Sequence, residues 1–574
     1  MSRSPAIRRS RFTDPTTPSR HRHQAAAAAI ALTGLVAAAC GSGAVSSQGA
    51  PSSSAGSVTP TSQAPITKPP SSAGSVTPTT QAPITKPLRI LNSFKATAID
   101  PALPGAHWCY TFGYCEHPTV APEDRSDPKP LLLESLSRID AQTWKLVVRP
   151  GITFQNGKAL DGQALAASLQ RQIDKNAQVK NFIGNSKATV TGAMEVTLTT
   201  PKPNASLPWL LADQGLMPVY DAAAVEAHLA AGGKDLELAG KGIFTAPFTL
   251  EGLDTNGAQL KRNETYWAGK PALPAIEIRF VTDPQARLIA LENGEADMAL
   301  YPPANLTDVL KTNKKLVLRR QDQAQETLRL APNVGQGLLT DVNVRKAISR
   351  AINYEEIAGK YMSGLYDPAV GLFPLTVDYA LKNQPTDLKE ARRILDAAGW
   401  APGAGGTREK NGQKLQLVLL TYPQQPDTAD VAIGVQQQLA QAGIAIDIRQ
   451  VEDINATIAK PDSWNLALIF NSTRSLVGDP IIPSRRYFHS QSVDNKGKYG
   501  VADPRVDEII EKLEATFDAA ERGTLLKRLQ DIVITEQAYM IIAGLKPFPI
   551  VVTKEWERYQ VSSVRRLITF ETRP

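Results

Sequence analysis

The chain has 574 residues, 42% of them hydrophobic and 21% charged, the make-up of a globular protein with room for two or three domains. Its formal charge of +7 would suit a polyanionic partner, but residues 1–39 carry six arginines against the single acid Asp14, and removing that net +5 leaves +2. What remains has no electrostatic footprint for binding nucleic acid, and that class is set aside.

The N-terminal arginines (Arg3, Arg8, Arg9, Arg11, Arg20, Arg22) precede an apolar run from Ala25 to Ala39, which at 15 residues is shorter than the ~20 that a spanning helix needs. The pattern reads as a secretory signal peptide over residues 1–39. Its end, Val36-Ala37-Ala38-Ala39-Cys40-Gly41, resembles the bacterial lipobox, with Ala37 standing where that pattern prefers Leu. The resemblance implies that Cys40 is acylated and becomes the mature N-terminus, fixing the protein to the outer face of the cytoplasmic membrane. The other reading is a plain signal cut after Ala39. Arg8-Arg9 resembles a twin-arginine signal, although Arg11 occupies a position where an apolar residue is expected, so the Sec and Tat routes both stay open.

Residues 40–87 follow as a Ser/Thr/Pro-rich linker. Ser53-Ser54-Ala55-Gly56-Ser57-Val58-Thr59-Pro60 returns 18 residues later as Ser71-Ser72-Ala73-Gly74-Ser75-Val76-Thr77-Pro78. Such a composition cannot bury a core, and as a coil it would span about 40 Å. Two copies are too few to stack as a solenoid.

From Leu88 onward helix and strand signals mix, as in an α/β protein. Met194, Val196 and Leu198 alternate as in a half-buried strand, and Ile276, Ile278 and Phe280 do the same. Asp387 to Glu390 reads as a capping box opening a helix through Ile394 and Leu395, with Gly399 as its stop. Val431, Val435 and Leu439 mark another helix that breaks at Gly443 before Ile444, Ile446 and Ile448 at strand period. Val506, Ile509, Ile510, Leu513 and Phe517 give the buried stripe of a long helix.

The most unusual cluster is His107-Trp108-Cys109-Tyr110-Thr111-Phe112-Gly113-Tyr114-Cys115-Glu116-His117. In an oxidising compartment a Cys109–Cys115 disulfide is the default reading. A metal site of His107, Cys109, Cys115 and His117 is the alternative, since two thiolates and two imidazoles suit a soft or borderline ion. Free thiols are the third.

Between Trp144 and Glu536 several segments resemble the solute-binding proteins of ABC importers in the peptide and nickel class, family 5. They are Trp144-Lys-Leu-Val-Val-Arg-Pro-Gly-Ile-Thr-Phe-Gln-Asn-Gly157, Leu260-Lys-Arg-Asn-Glu-Thr-Tyr-Trp-Ala-Gly-Lys-Pro271, Arg287 with Leu291 to Asp297, Val344 to Ile352, and Asp503 to Ile510. Phe244-Thr245-Ala246-Pro247-Phe248 departs from the family's Gly-Thr-Gly-Pro-aromatic at both glycines. The resemblance implies a two-lobed, periplasmic-binding-protein-like α/β fold of class II type with an extra subdomain in the first lobe and a hinged cleft. The lobes are expected at 88–330 and 331–542, with 543–574 returning to the first, and with crossings near 325–332 and 540–546.

Family members that bind peptides often present an Asp to the amino terminus in a loop ending Asp-x-x-Asp-Pro. Here the loop is Ser472 to Pro480, where Asp479-Pro480 match and Leu476 replaces the first Asp. An enclosed ammonium would lack its partner there. Arg474 in the same loop suits a carboxylate or a chelate, or is simply solvated. Tyr422 and Trp464 fall near other cleft loops, or in the core. The Cys109–Cys115 stretch is expected at the cleft mouth, where Trp108, Tyr110 and Tyr114 would form a stacking lip.

The function implied is capture of a solute, an oligopeptide first and a nickel chelate as alternative, for delivery to an ABC permease by a monomer without cofactor. An exported hydrolase is the rival class. The sequence has no H-E-x-x-H, G-x-S-x-G or Walker-type loop, so no enzymatic activity is expected.

Overall fold

A computed structural model describes residues 84–303, 305–321, 324, 326–475 and 477–574, without the side chain of Asn471. Cys40, the tandem repeat and Leu476 lie outside the described residues. The described chain belongs to one compact unit, Ile66–Pro574, and no helix in it is long and apolar enough to cross a membrane.

Two mixed sheets organise this unit. The first has seven strands in the order Leu316–Arg320, Pro549–Thr553, Met298–Leu300, Leu88–Asn92, Ala275–Phe280, Gly257–Arg262, Phe248–Leu253. The second has five, in the order Ala445–Gln450, Gln416–Thr421, Leu466–Asn471, Glu326–Pro332, Ile541–Lys546. Each carries its own apolar core, so the unit has two lobes. A four-stranded antiparallel sheet, Leu133–Arg138, Thr143–Val148, Glu195–Thr199 and Lys187–Gly192, forms a third layer beside the first lobe.

Strand patterns follow from how many faces are covered. Trp144, Leu146 and Val148 are buried while Thr143, Lys145 and Val147 are not, the alternation of a sheet with one wet face. Helix Gly162–Lys175 covers the other face and starts at Asp161, whose carboxylate accepts from the Ala164 amide at 2.8 Å. Glu326–Pro332 and Ile541–Lys546 are instead buried at every residue. They carry the chain between the lobes: it leaves the seven-stranded sheet at Arg320, enters the five-stranded one at Glu326, leaves it at Lys546 and returns at Pro549.

Two sequence expectations shift locally. Asp387 caps helix Leu388–Ala397 by accepting from the Glu390 amide at 2.9 Å, but the Glu390 carboxylate turns to Arg393 and leaves the box half made. Helix Pro504–Ala515 ends before Phe517; that ring serves as the platform for Arg138, whose guanidinium carbon lies 3.8 Å from its centroid. Phe244 and Ala246 keep negative φ, so the two missing family glycines are not needed for backbone conformation.

The lobes touch. Ser93 Oγ donates to the Gln424 carbonyl at 2.8 Å, Arg485 Nε to that of Asn181 at 2.8 Å, and the Ala205 amide to that of Glu514 at 2.7 Å. Ile482 of the second lobe is buried in the core of the four-stranded layer.

Candidate functional site

Where the lobes face each other, a narrow gap, too tight here to admit a water molecule, is lined by residues of both and of the crossings. Arg125 comes from the first lobe, Ala324, Glu326, Thr327 and Leu545 from the crossings, and Pro374, Thr473 and Arg474 from the second lobe. Arg125 reaches over the gap, its Nη2 donating to the Ser475 carbonyl at 2.7 Å. Arg474 Nε donates to Tyr379 Oη at 2.9 Å. Burial, aided by the positive charge of Arg474, pushes the Arg125 guanidinium down to about 9. The one acid in the lining, Glu326, is committed to Arg565, which also donates to Tyr301 Oη at 3.2 Å.

Backbone strain gathers here. Of seven described non-glycine residues with positive φ, Arg125 (58°) lines the gap, Ser475 (52°) and Arg565 (62°) each bond a lining residue, and Tyr301 (54°) in turn bonds Arg565. Such conformations cost of order 1–3 kcal/mol each and concentrate where a chain is held for function.

Behind the gap lie two further buried cations. Lys546, the cross-strand partner of Glu326, pairs with Asp427 at 2.9 Å and is fully buried. Arg329 is also 0% exposed, yet its side chain meets aromatic faces: its guanidinium carbon is 3.9 Å from the Tyr487 ring centroid and 5.6 Å from that of Tyr499.

Of the six residues singled out as ligand contacts, only Arg474 lines the gap. Trp464 is core, its Nε1 donating to the Ile458 carbonyl at 3.2 Å. Tyr422 is buried with its Oη accepting from the Phe470 amide at 3.5 Å, and burial holds its phenol above the usual range. Trp108, Tyr110 and Tyr114 do not form a stacking lip. They are sealed in the first-lobe core, Trp108 stacked on Phe112 with centroids 5.6 Å apart and Tyr114 edge-on to Phe244 at 6.0 Å. Burial pushes the Tyr110 and Tyr114 phenols up.

The segment is enclosed because remote chain grips it. Cys109 and Cys115 are joined to each other with Cα atoms 5.1 Å apart. Gly113 closes helix Trp108–Phe112 at φ 74°, where a Cβ would meet the Ile568 carbonyl oxygen at 2.8 Å. Glu116 accepts from Thr245 Oγ1 at 2.9 Å, Tyr266 Oη at 2.5 Å and Trp267 Nε1 at 3.1 Å, so the Tyr-Trp of the 260–271 segment serves to staple it. A metal centre of His107, Cys109, Cys115 and His117 has no geometry to support it: among the described residues no three His, Cys, Asp or Glu are placed to hold an ion. Burial lowers the imidazoles instead, His107 to about 4 and His117 to about 3.

Sequence reasoning missed Arg125, Arg329 and Lys546. The last two had a signal, a lone cation inside the apolar crossings Thr327-Leu-Arg-Leu-Ala331 and Ile541-Ile-Ala-Gly-Leu-Lys546. Arg125, in a Pro/Asp-rich loop, had none.

Residues 127–495 match the model of bacterial extracellular solute-binding proteins, family 5. The nickel-binding periplasmic protein of Escherichia coli K12 is 27% identical over 423 residues, 70% of this chain and 78% of that one. A glutathione-binding protein of Salmonella paratyphi A is 27% identical over 421 residues, 70% and 77% of the two chains. Among solved structures, the nickel-binding protein of Staphylococcus aureus in complex with Ni(L-His)2 superposes with a TM-score of 0.74 at 21% identity, covering 85% of this chain and 99% of that one. The oligopeptide-binding protein of Bacillus subtilis with a nonapeptide gives 0.72 at 18%, covering 85% and 99%. With a family match over more than half its length and this fold, the chain belongs to family 5 of the bacterial extracellular solute-binding proteins, the extracytoplasmic binding components of ABC importers.

Proposed function

We propose that this protein captures a small carboxylate-bearing solute, a short peptide, and delivers it to the membrane subunits of an ABC permease, binding without turnover. The supporting observation is that Arg125 and Arg474 line one gap from opposite lobes, where burial already strains the Arg125 charge. Two guanidiniums brought together by closure favour a ligand that supplies the anion between them. Binding energy of that kind is available only when the lobes meet, which is what couples a solute to closure.

A nickel chelate is the second reading, favoured by the Escherichia coli relative. Its metal would be held through the chelator, with the chelator's carboxylates at the same arginines. In either case Cys40 is taken as the lipid anchor and the body as a monomer. Native mass spectrometry of the freshly purified protein, with elemental analysis, tests the reading. A retained acidic peptide supports it, a nickel chelate moves it to the second reading, and a retained neutral solute such as an unmodified sugar overturns both.

A further inference from the structure

We propose that Arg329 is a second acid-recognising position, behind the gap, so that the solute carries a further anionic group in addition to the one met by Arg125 and Arg474. This rests on the carboxylate reading above. Arg329 stands two residues after Thr327 on Glu326–Pro332, the strand whose first two residues, Glu326 and Thr327, both line the gap. Thr327 stands opposite Asn471 and Arg329 opposite Ile469 on the strand that leads into the Arg474 loop, while on the Ile541–Lys546 side the register slips between Leu328 and Arg329.

Arg329 differs from the cations around it. Lys546 and Arg565, equally enclosed in this region, each have a carboxylate, Asp427 and Glu326. Arg329 has two tyrosine faces and one long contact, Nη2 to Tyr499 Oη at 3.5 Å, while its Nε and Nη1 are buried with no hydrogen-bond partner. Aromatic faces offset part of a buried charge but accept none of its N–H groups. A closed protein without solute therefore holds an uncompensated guanidinium, and an acidic group arriving from the gap supplies the missing counter-charge and acceptors. Arg329 would thus make closure depend on the acid.

The test follows thermal unfolding of the full chain with glutathione, the dipeptide Ala-Glu and citrate, each against its ethyl ester. Wild type should be stabilised by at least one acid and not by its ester. Arg329→Met should weaken that acid's binding tenfold or more, with Arg329→Lys in between, while its midpoint without probe is no lower than wild type, since an uncompensated charge has gone. A purely structural arginine would give the reverse, a lower midpoint with the acid response kept, and that result overturns the inference. So does a wild type that none of the three acids stabilises. If Arg329→Met does not fold, Arg329→Gln, which also removes the charge, takes its place and the same two outcomes decide. Arg474→Ala separates the two levels. Loss there with retention in Arg329→Met removes this inference alone, and retention in both removes the carboxylate reading as well.

Discussion

The segment His107–His117 and the loop Ser472–Pro480 both carry residue types that build binding sites, yet one is closed into the first-lobe core and the other borders the gap. The difference lies in what the rest of the chain brings to each. Phe244, Tyr266, Trp267 and Ile568 converge on the first from far away in sequence, whereas the half-buried Arg474 side chain bonds Tyr379 and borders the gap. Aromatic and cysteine content marks a place worth ordering; only the long-range partners decide whether it is ordered for stability or for a ligand.

That contrast can be broken by substitution. Trp108→Ala should lower unfolding free energy by about 3–5 kcal/mol through lost burial and a residual cavity, with solute affinity unchanged. Denaturant titration beside calorimetric binding checks this, and a large affinity loss with intact stability would restore the lip. Replacing Cys109 and Cys115 together by Ala should cost roughly 2–3 kcal/mol, the value for so short a closed loop, and shift no affinity.

The gap should answer in the opposite sense. Arg474→Ala is expected to weaken solute binding about tenfold or more, the scale of a lost charge-assisted contact, while stability moves within about 0.5 kcal/mol. Titration calorimetry with whatever solute the native protein retains reads the first, and thermal unfolding the second.

Acid sharpens the comparison further. The folded His117 imidazole is lowered to about 3 by burial, below its ordinary 6.5. The unfolded chain then binds a proton that the folded one does not, so stability is constant above about pH 6.5 and falls as pH drops from there toward 3, by at most about 1.4 kcal/mol per unit for this one group. His117→Phe should flatten that slope. An unchanged slope would mean the imidazole is not sealed.

Much of the architecture was legible from local signals. Asp387 and Gly399 mark helix ends because capping is settled within a few residues. The crossings were placed only through the family resemblance, because strands covered on both faces leave no room for the alternation that marks a half-buried strand. Phe517 was misplaced because a ring beyond the end of a stripe keeps its period whether or not the backbone continues as helix. The site was legible only at Arg474. Arg125 sits about 350 residues from its gap partner Ser475, and nothing in its own neighbourhood announces that meeting.

The return strand Pro549–Thr553 has a bearing on how the protein is made. It is not an edge strand: it lies between Leu316–Arg320 and Met298–Leu300 and pairs with both. Until residue 553 has left the ribosome, the seven-stranded sheet is split and Leu316–Arg320 has no neighbour in it. The lobe begun first is therefore the one finished last. That lobe cannot lock before Pro549–Thr553 is in place, and a protein cut short before Pro549 would present unpaired strand edges to its neighbours.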